Sequence, residues 1–455
     1  MAALEHHLGK TRRRSSNRIA HPVTFDDLPS GRQAQLDTLQ RDAFGYFLDH
    51  TSPSTGMVAD SSREGSPCSI ACIGFALTCY PIAVSRGWMT REDAAKSTLA
   101  TLRFLAQSEQ SEAVDASGYR GLYYHFLDME SGKRVWECEL SLIDTTLMVA
   151  GVLTAVAWFD GADPAETKIR TTGTALYERI EWNWARDDSQ TLAQGWTPEN
   201  GFIRYAWEGY SEALLLYALA AGSPSHRLPE NGFSGWTATY QWERQYGQDV
   251  LYAGPLFIHL FSHAWMDTRG VTDPYMTERG TDYFANTQAA IAIQRAYAEH
   301  NPRNFMGYGP LSWGITACDG PDGQRDTKDG RTIRAFGYSA RGVPFGPDDG
   351  TLCPWLALAA LPYAPADCLD ALDHTLATWP DTLVGGRFPG SFNPSIPGDD
   401  GAPCWRSNAV YGLDQGLIVI MVENFRTGMI WDLWRRIPAL REGLSRMGFT
   451  GGWLA

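Results

Sequence analysis

Positive charge is scarce in this 455-residue sequence: 38 Lys and Arg stand against 52 Asp and Glu, for a net charge of −14. No basic stripe is left to neutralise phosphates, which excludes nucleic acid as a partner. An anionic membrane surface is excluded for the same reason. No apolar run is long enough to cross a bilayer. The eight cysteines contain no Cys-x-x-Cys pair, so neither a zinc site nor a redox motif is expected. Cys68, Cys72 and Cys79 sit in or beside an apolar helical run, where a reduced thiol behaves as a small hydrophobe. His259 and His263 have metal-pair spacing but lack a His-Glu-x-x-His pattern, so packed histidines are the better reading. The acids of 313–323 and 348–351 do not match a calcium loop, and no nucleophile elbow precedes a serine or cysteine. No metal and no cofactor are therefore expected. Arg12, Arg13 and Arg14 are not followed by an apolar stretch, so no export signal is read there. That favours a cytoplasmic chain, with a periplasmic or secreted protein whose signal has been removed as the alternative.

Strand-like alternation is rare too, and no short repeat recurs. What the chain has instead is helical periodicity. Apolar residues recur at helix spacing from Leu36 onward. Runs follow at Ile70–Val84, Arg91–Leu105, Leu140–Phe159, Glu166–Trp184, Ser211–Ala221, Pro255–Trp265, Tyr283–His300, Leu352–Leu361, Asp367–Leu376 and Gln415–Trp434. With weaker runs this makes roughly a dozen helices and an all-α fold, an (α/α)6 toroid of two concentric helical rings. Residues 1–29 read as a flexible basic tail and 30–455 as one catalytic domain. The Gly-, Pro- and Asp-rich stretch 307–350 is long enough to suggest a functional loop.

Aromatic residues are abundant, with 17 Trp and 19 Tyr. Their faces stack on the apolar faces of sugar rings, and their N–H and O–H groups bond hydroxyls. Packing between helices accounts for about half of them. Acetal cleavage needs two carboxyls in different environments, one to protonate the leaving oxygen and one to take a proton from water. Glu139 and Asp144 flank the start of an apolar helix, where Ser141 with Asp144 also has the spacing of a helix cap. Glu212 begins a very apolar helix beside Trp207 and Tyr210. Burial there would raise its pKa and suit a general acid, although a helix N-terminus alone also attracts a carboxylate. Asp414 precedes another buried helix, and Glu423 is spaced to pair with Arg426. Trp313 and Asp319 lie in the loop set that also carries Asp348 and Asp349; a solvated loop is the plain reading, and sugar-hydroxyl binding by Trp313 and Asp319 is the functional one.

The ordered run of Phe44-Gly45-Tyr46-Phe47, Tyr124-His125-Phe126-Leu127-Asp128, Glu139 to Thr145, Tyr210-Ser211-Glu212-Ala213, Ser262-His263, Trp313 to Gly323, Asp348 to Thr351 and Asp414-Gln415-Gly416 carries a resemblance. It resembles the glucoamylase-like domain of bacterial endo-β-1,2-glucanases and cyclic β-1,2-glucan synthases, over about Leu36 to Trp434. The resemblance implies an (α/α)6 barrel acting on β-1,2-glucan or its oligosaccharides without a metal. It implies Glu212 as general acid and Asp414 as base in an inverting hydrolase. Glu139 aligns with the nucleophile of retaining transglycosylases. His125, Asp144, Trp207, Tyr210, His263, Trp313, Asp319 and Asp349 are the expected sugar-binding side chains. Leu260, Thr268 and Phe425 depart from the pattern. A transglycosylase on the same glucan and a non-catalytic glycan-binding protein are the alternatives.

Overall fold

The computed structural model describes residues 23–186, 190–229, 231–399 and 401–455. The first 22 residues of the expected tail lie outside them. The chain is tied to the fold from Phe25, which packs edge-on to Phe425 at 6.2 Å, with the Arg426 guanidinium 4.0 Å from its ring centre.

Among the described residues there are fourteen α-helices. The first six are α1 (Ser30–Asp49), α2 (Ile70–Ser85), α3 (Arg91–Gln107), α4 (Leu142–Trp158), α5 (Pro164–Glu178) and α6 (Leu214–Ala221). Then come α7 (Asn231–Thr237), α8 (Pro274–Arg279), α9 (Tyr283–His300), α10 (Leu356–Ala359) and α11 (Pro365–Thr378). The chain closes with α12 (Gly412–Arg426), α13 (Met429–Trp434) and α14 (Pro438–Arg446). None of these helices is long and apolar enough to cross a membrane.

Two kinds of helix follow from two kinds of sequence. α2, α4 and α6 are apolar around most of their circumference and are buried along nearly their whole length. α3, α5 and α11 bury one stripe at i, i+3, i+4 spacing, such as Ala94, Ala95, Thr98, Leu99 and Leu102 in α3. α2 lies between α4 and α12, and α3 and α5 pack together. The α2–α4 contact is exceptionally close: a Cβ on Gly74 would lie 1.9 Å from the Leu147 carbonyl oxygen. Gly151, across from it, meets the Gly74 backbone in the same way. Only glycine permits that approach, and it draws the N-terminal ends of α2 and α4 together.

The structure departs from the sequence expectation where loops override periodicity. Pro255–Trp265 forms two 3-10 turns, Leu256–His259 and Ser262–Ala264, rather than a helix. The run from Gln415 breaks at Gly428, whose φ of 71° ends α12 and starts α13. Seventeen short antiparallel strands are present among the described residues, the longest of five residues. Strands so short leave no legible alternation. Five of them, from Gly118–Tyr119 to Gly201–Phe202, form one sheet that carries the segment before α4. The 307–350 stretch contains the hairpin Asp322–Asp326 with Thr332–Phe336. All eight cysteines are free thiols.

Candidate active site

Carboxylates collect where the N-terminal ends of α2, α4, α6 and α12 meet. Asp144 is in the first turn of α4 and Asp414 in the first turn of α12, and Glu212 precedes α6 by two residues. Glu139 immediately precedes the strand Leu140–Ser141 that leads into α4. The turn carrying Glu212 is fixed by Ser262, whose hydroxyl donates to the Glu212 carbonyl and accepts the Leu215 N–H at 3.0 Å. Asp60 joins from a loop stapled to the α12 entry. The Asp60 carbonyl accepts the Gly412 N–H at 2.9 Å, and Ser62 and Val410 exchange bonds at 2.9 and 3.0 Å.

The acids divide into two sets. In the first, each carboxylate has partners. His125 donates from Nδ1 to Glu139 Oε1 at 2.9 Å, and its Nε2 lies 3.6 Å from Asp144 Oδ2. The imidazole stacks on Phe126 with ring centres 3.9 Å apart. Burial works to lower the His125 pKa, but the charges of Asp144, Glu139 and Asp60 outweigh it and raise it to about 9. Burial likewise opposes the ionisation of Glu139, yet the hydrogen bond and charge of His125 hold this carboxyl below its ordinary value. Asp144 accepts from the Ser141 hydroxyl at 2.5 Å, while Ser141 caps α4 by accepting the Asp144 N–H at 3.2 Å. Asp319 accepts from Arg63 at 2.7 Å and from Ser407 at 2.8 Å. His125, Glu139 and Asp144 are close enough to share a cation, with ligand atoms all within 4.8 Å of one another. To ligate a metal, His125 would have to give up the proton that those same carboxylates favour.

In the second set, the side-chain carboxyls of Asp60, Glu212 and Asp414 accept no hydrogen bond from any other residue among those described. All three are crowded by neighbouring groups yet keep some surface open to solvent. Burial, aided by the charge of Asp144, raises Glu212 to about 7. Burial raises Asp60 to about 6, with Asp144 and Asp319 adding to it against His125 and Arg63. Burial pushes Asp414 well above the ordinary carboxylate range, with Cys318, Asp319 and Asp60 adding to it. Asp144 acts on both Glu212 and Asp60, and Asp60 acts on Asp414. The four acids therefore share one neighbourhood. A carboxyl lifted to about 7 beside one that a histidine holds ionised is the raw material of acid–base catalysis.

Five expected sugar-binding residues are placed elsewhere or differently. His263 is fully buried against Tyr283 and Tyr363, with Nδ1 3.3 Å from the Thr287 hydroxyl, and burial lowers its pKa to about 3. It is a core histidine. Asp349 is also buried, and Arg341 takes both its oxygens at 2.8 Å, so nothing remains for a sugar. Trp207, Tyr210 and Trp313 are packed into the core, Tyr210 stacking on Tyr283 at 5.8 Å. Their bulk dries the surroundings of the cleft rather than presenting a free ring face. Glu423 is buried and bonded by Thr427 at 2.9 Å and Gln40 at 3.3 Å, with Arg426 3.7 Å away.

Two residues of the site went unnoticed in the sequence. Asp60 ends the stretch Met57-Val58-Ala59 with no partner at a telling spacing. Arg63 donates to Asp319, to Tyr411 at 2.9 Å and to Asn408 at 3.0 Å. Both arrive through the long-range bridge of Ser61 with Tyr411, which no local pattern announces.

Residues 204–438 match the Glycoamylase family model, described as "Putative glucoamylase". The chain is 26% identical over 464 aligned positions to an exo β-1,2-glucooligosaccharide sophorohydrolase (non-reducing end) of Parabacteroides distasonis. That alignment covers 93% of this chain and 59% of the relative, so the chain spans little more than half the relative's length. Among solved structures, it is similar to a "putative glucoamylase" of Bacteroides uniformis, with a TM-score of 0.81 and 28% identity over 96% of this chain and 100% of the other. It shares its fold with the endo-β-1,2-glucanase of Chitinophaga pinensis, solved with sophorotriose and glucose. There the TM-score is 0.80 and the identity 24%, over 95% of this chain and 100% of the other.

Proposed function

The chain belongs to the Glycoamylase family, and on that premise we propose that it is a glycoside hydrolase that cleaves β-1,2-glucan or its oligosaccharides. The observation that carries this reading is the pair of unpartnered carboxyls, Glu212 and Asp414, which share one neighbourhood with Asp144 and Asp60. A carboxyl that stays protonated to about pH 7 can donate to a glycosidic oxygen at neutral pH, which assigns Glu212 as general acid. The second unpartnered carboxyl, Asp414 in the first turn of α12, is assigned as base: in its ionised form it accepts the proton of an attacking water. His125, Asp144, Glu139 and Asp319 would then hold glucosyl hydroxyls with groups already oriented by one another. A neutral glucan is not repelled by a cleft rich in acids.

The architecture we propose for this unit, residues 30–455, is the (α/α)6 toroid. The wholly buried α2, α4 and α6 would stand in its inner ring and the one-sided α3, α5 and α11 in its outer ring. The relatives named for β-1,2-linked substrates support the choice of linkage.

A second reading, retaining transglycosylation with Glu139 as nucleophile, has one observation in its favour. His125 holds Glu139 ionised, as a nucleophile must be. The test uses Glu212→Gln, Asp414→Asn and Glu139→Gln on linear β-1,2-glucan, with product anomers read by NMR. Hydrolysis through Glu212 and Asp414 predicts inverted products and a loss of turnover of about 10²-fold or more in each of the first two variants. Retained configuration with elongated products, abolished by Glu139→Gln, would replace it with transfer. Near-normal turnover in Glu212→Gln or Asp414→Asn would overturn the assignment.

A further inference from the structure

The aromatic side chains that the sequence offers as sugar platforms are packed away, and two others are left open beside the acids. Trp136 is 69% exposed and Tyr338 is 75% exposed. Each position is held in place by a buried arginine.

Trp136 and Glu137 both have left-handed backbone conformations, with φ of 58° and 50°. A bulky residue adopts that geometry only where its surroundings impose it, and such outliers concentrate at functional sites. The buried Arg134 imposes it here. Its guanidinium donates to the Glu137 carbonyl at 2.7 Å and the Cys138 carbonyl at 2.6 Å, and is itself held by Glu199 at 2.7 Å. The presented indole lies 5.1 Å from the Phe126 ring, which stacks on His125. Trp136 thus stands one ring away from the His125–Glu139–Asp144 cluster.

Tyr338 is presented the same way by a second buried arginine. Arg341 donates to the Gly337 carbonyl at 2.9 Å and the Cys318 carbonyl at 2.8 Å, and its partner Asp349 accepts the Phe336 N–H at 3.0 Å. The neighbouring residues Ser339 and Ala340 pair with Cys318 and Ala317. The backbone on both sides of Tyr338 is therefore clamped while its ring is left free. Ser339 pairs with Cys318, the residue before Asp319, so the Tyr338 turn runs beside the strand that delivers the carboxylate held by Arg63 and Ser407.

We propose that Trp136 and Tyr338 are the sugar-stacking residues of the cleft, two aromatic platforms that flank the carboxylates and hold consecutive glucosyl units of the chain being cleaved. The proposal rests on the glucan-hydrolase reading above. It also gives Asp349 a role at one remove: with Arg341 it positions Tyr338.

The test compares KM and kcat of wild type, Trp136→Ala, Trp136→Phe, Tyr338→Ala and Tyr338→Phe on linear β-1,2-glucan and sophoro-oligosaccharides, with melting temperature as a folding control. Loss of one stacking ring is expected to raise KM by ~10-fold with kcat nearly unchanged, and the Phe variants to recover most of it. Because both side chains are exposed, melting temperatures should match wild type. If wild type cleaves the glucan and both Ala variants keep its KM, the platform assignment is overturned and the hydrolase reading stands. If wild type releases no reducing ends, the hydrolase reading fails and takes the platforms with it.

Discussion

Glu212 should make the protein weaker where it makes the enzyme active. Lifting a carboxyl from 4.5 to about 7 favours its neutral form by roughly 3 kcal/mol, a ceiling because the side chain keeps some contact with water. The sign follows from linkage. Below pH 4.5 the group is neutral in folded and unfolded chains alike and contributes nothing. As pH rises from 4.5 towards 7, the unfolded chain ionises and the folded one resists, so stability falls. Above about 7 the full penalty is in place. Glu212→Gln keeps the shape and removes the titration, so it should match wild type near pH 4.5 and exceed it at pH 8. For a chain of 455 residues, an unfolding entropy near 2.1 cal/mol/K per residue turns roughly 3 kcal/mol into about 3 °C. Differential scanning fluorimetry at the two pH values reads this, alongside reducing-end release. Turnover should fall ~10²-fold or more in the same variant. A gap in melting temperature that is equal at both pH values, or a variant less stable than wild type at pH 8, would refute the reasoning.

His125 should show the opposite sense of coupling. Its raised pKa stabilises the fold fully below pH 6.5, and that contribution is lost as pH rises to about 9. The stability difference between wild type and His125→Gln, measured by denaturant titration, should therefore shrink across that window. Asp349→Ala leaves the buried Arg341 charge uncompensated, and its cost should be about 3–5 kcal/mol, or a fall of roughly 3–5 °C in melting temperature. Gly74→Ala drives a methyl group into the Leu147 carbonyl and should destabilise by at least 1–3 kcal/mol, the usual range for overpacking. Calorimetry checks both.

The helices that carry the site were legible because their sequences are extreme. α2 and α4 are buried on every face, and an unbroken apolar run states that directly. Glu212 and Asp414 were legible because each is an acid at the head of such a run. The turns around Leu260 and the break at Gly428 were not, since an apolar pattern does not reveal which backbone bonds a loop will satisfy elsewhere. Asp349 misled because an Asp-Asp-Gly loop looks solvated, whereas its partner Arg341 comes from a neighbouring turn and is also buried. Asp60 and Arg63 were invisible because their place depends on pairing Ser61 with Tyr411 across most of the chain. Aromatic count pointed to sugar, but Trp207, Tyr210 and Trp313 are packed, and what sets Trp136 and Tyr338 open is a pair of buried arginine clamps that no local pattern announces.

The central claim is tested most directly by incubating the full chain with linear β-1,2-glucan in parallel with β-1,3-, β-1,4- and α-1,4-glucans and measuring new reducing ends and product sizes. The account predicts sophoro-oligosaccharides or shorter products from the β-1,2-glucan and no release from the others. Release from α-1,4-glucan with none from β-1,2-glucan would contradict it.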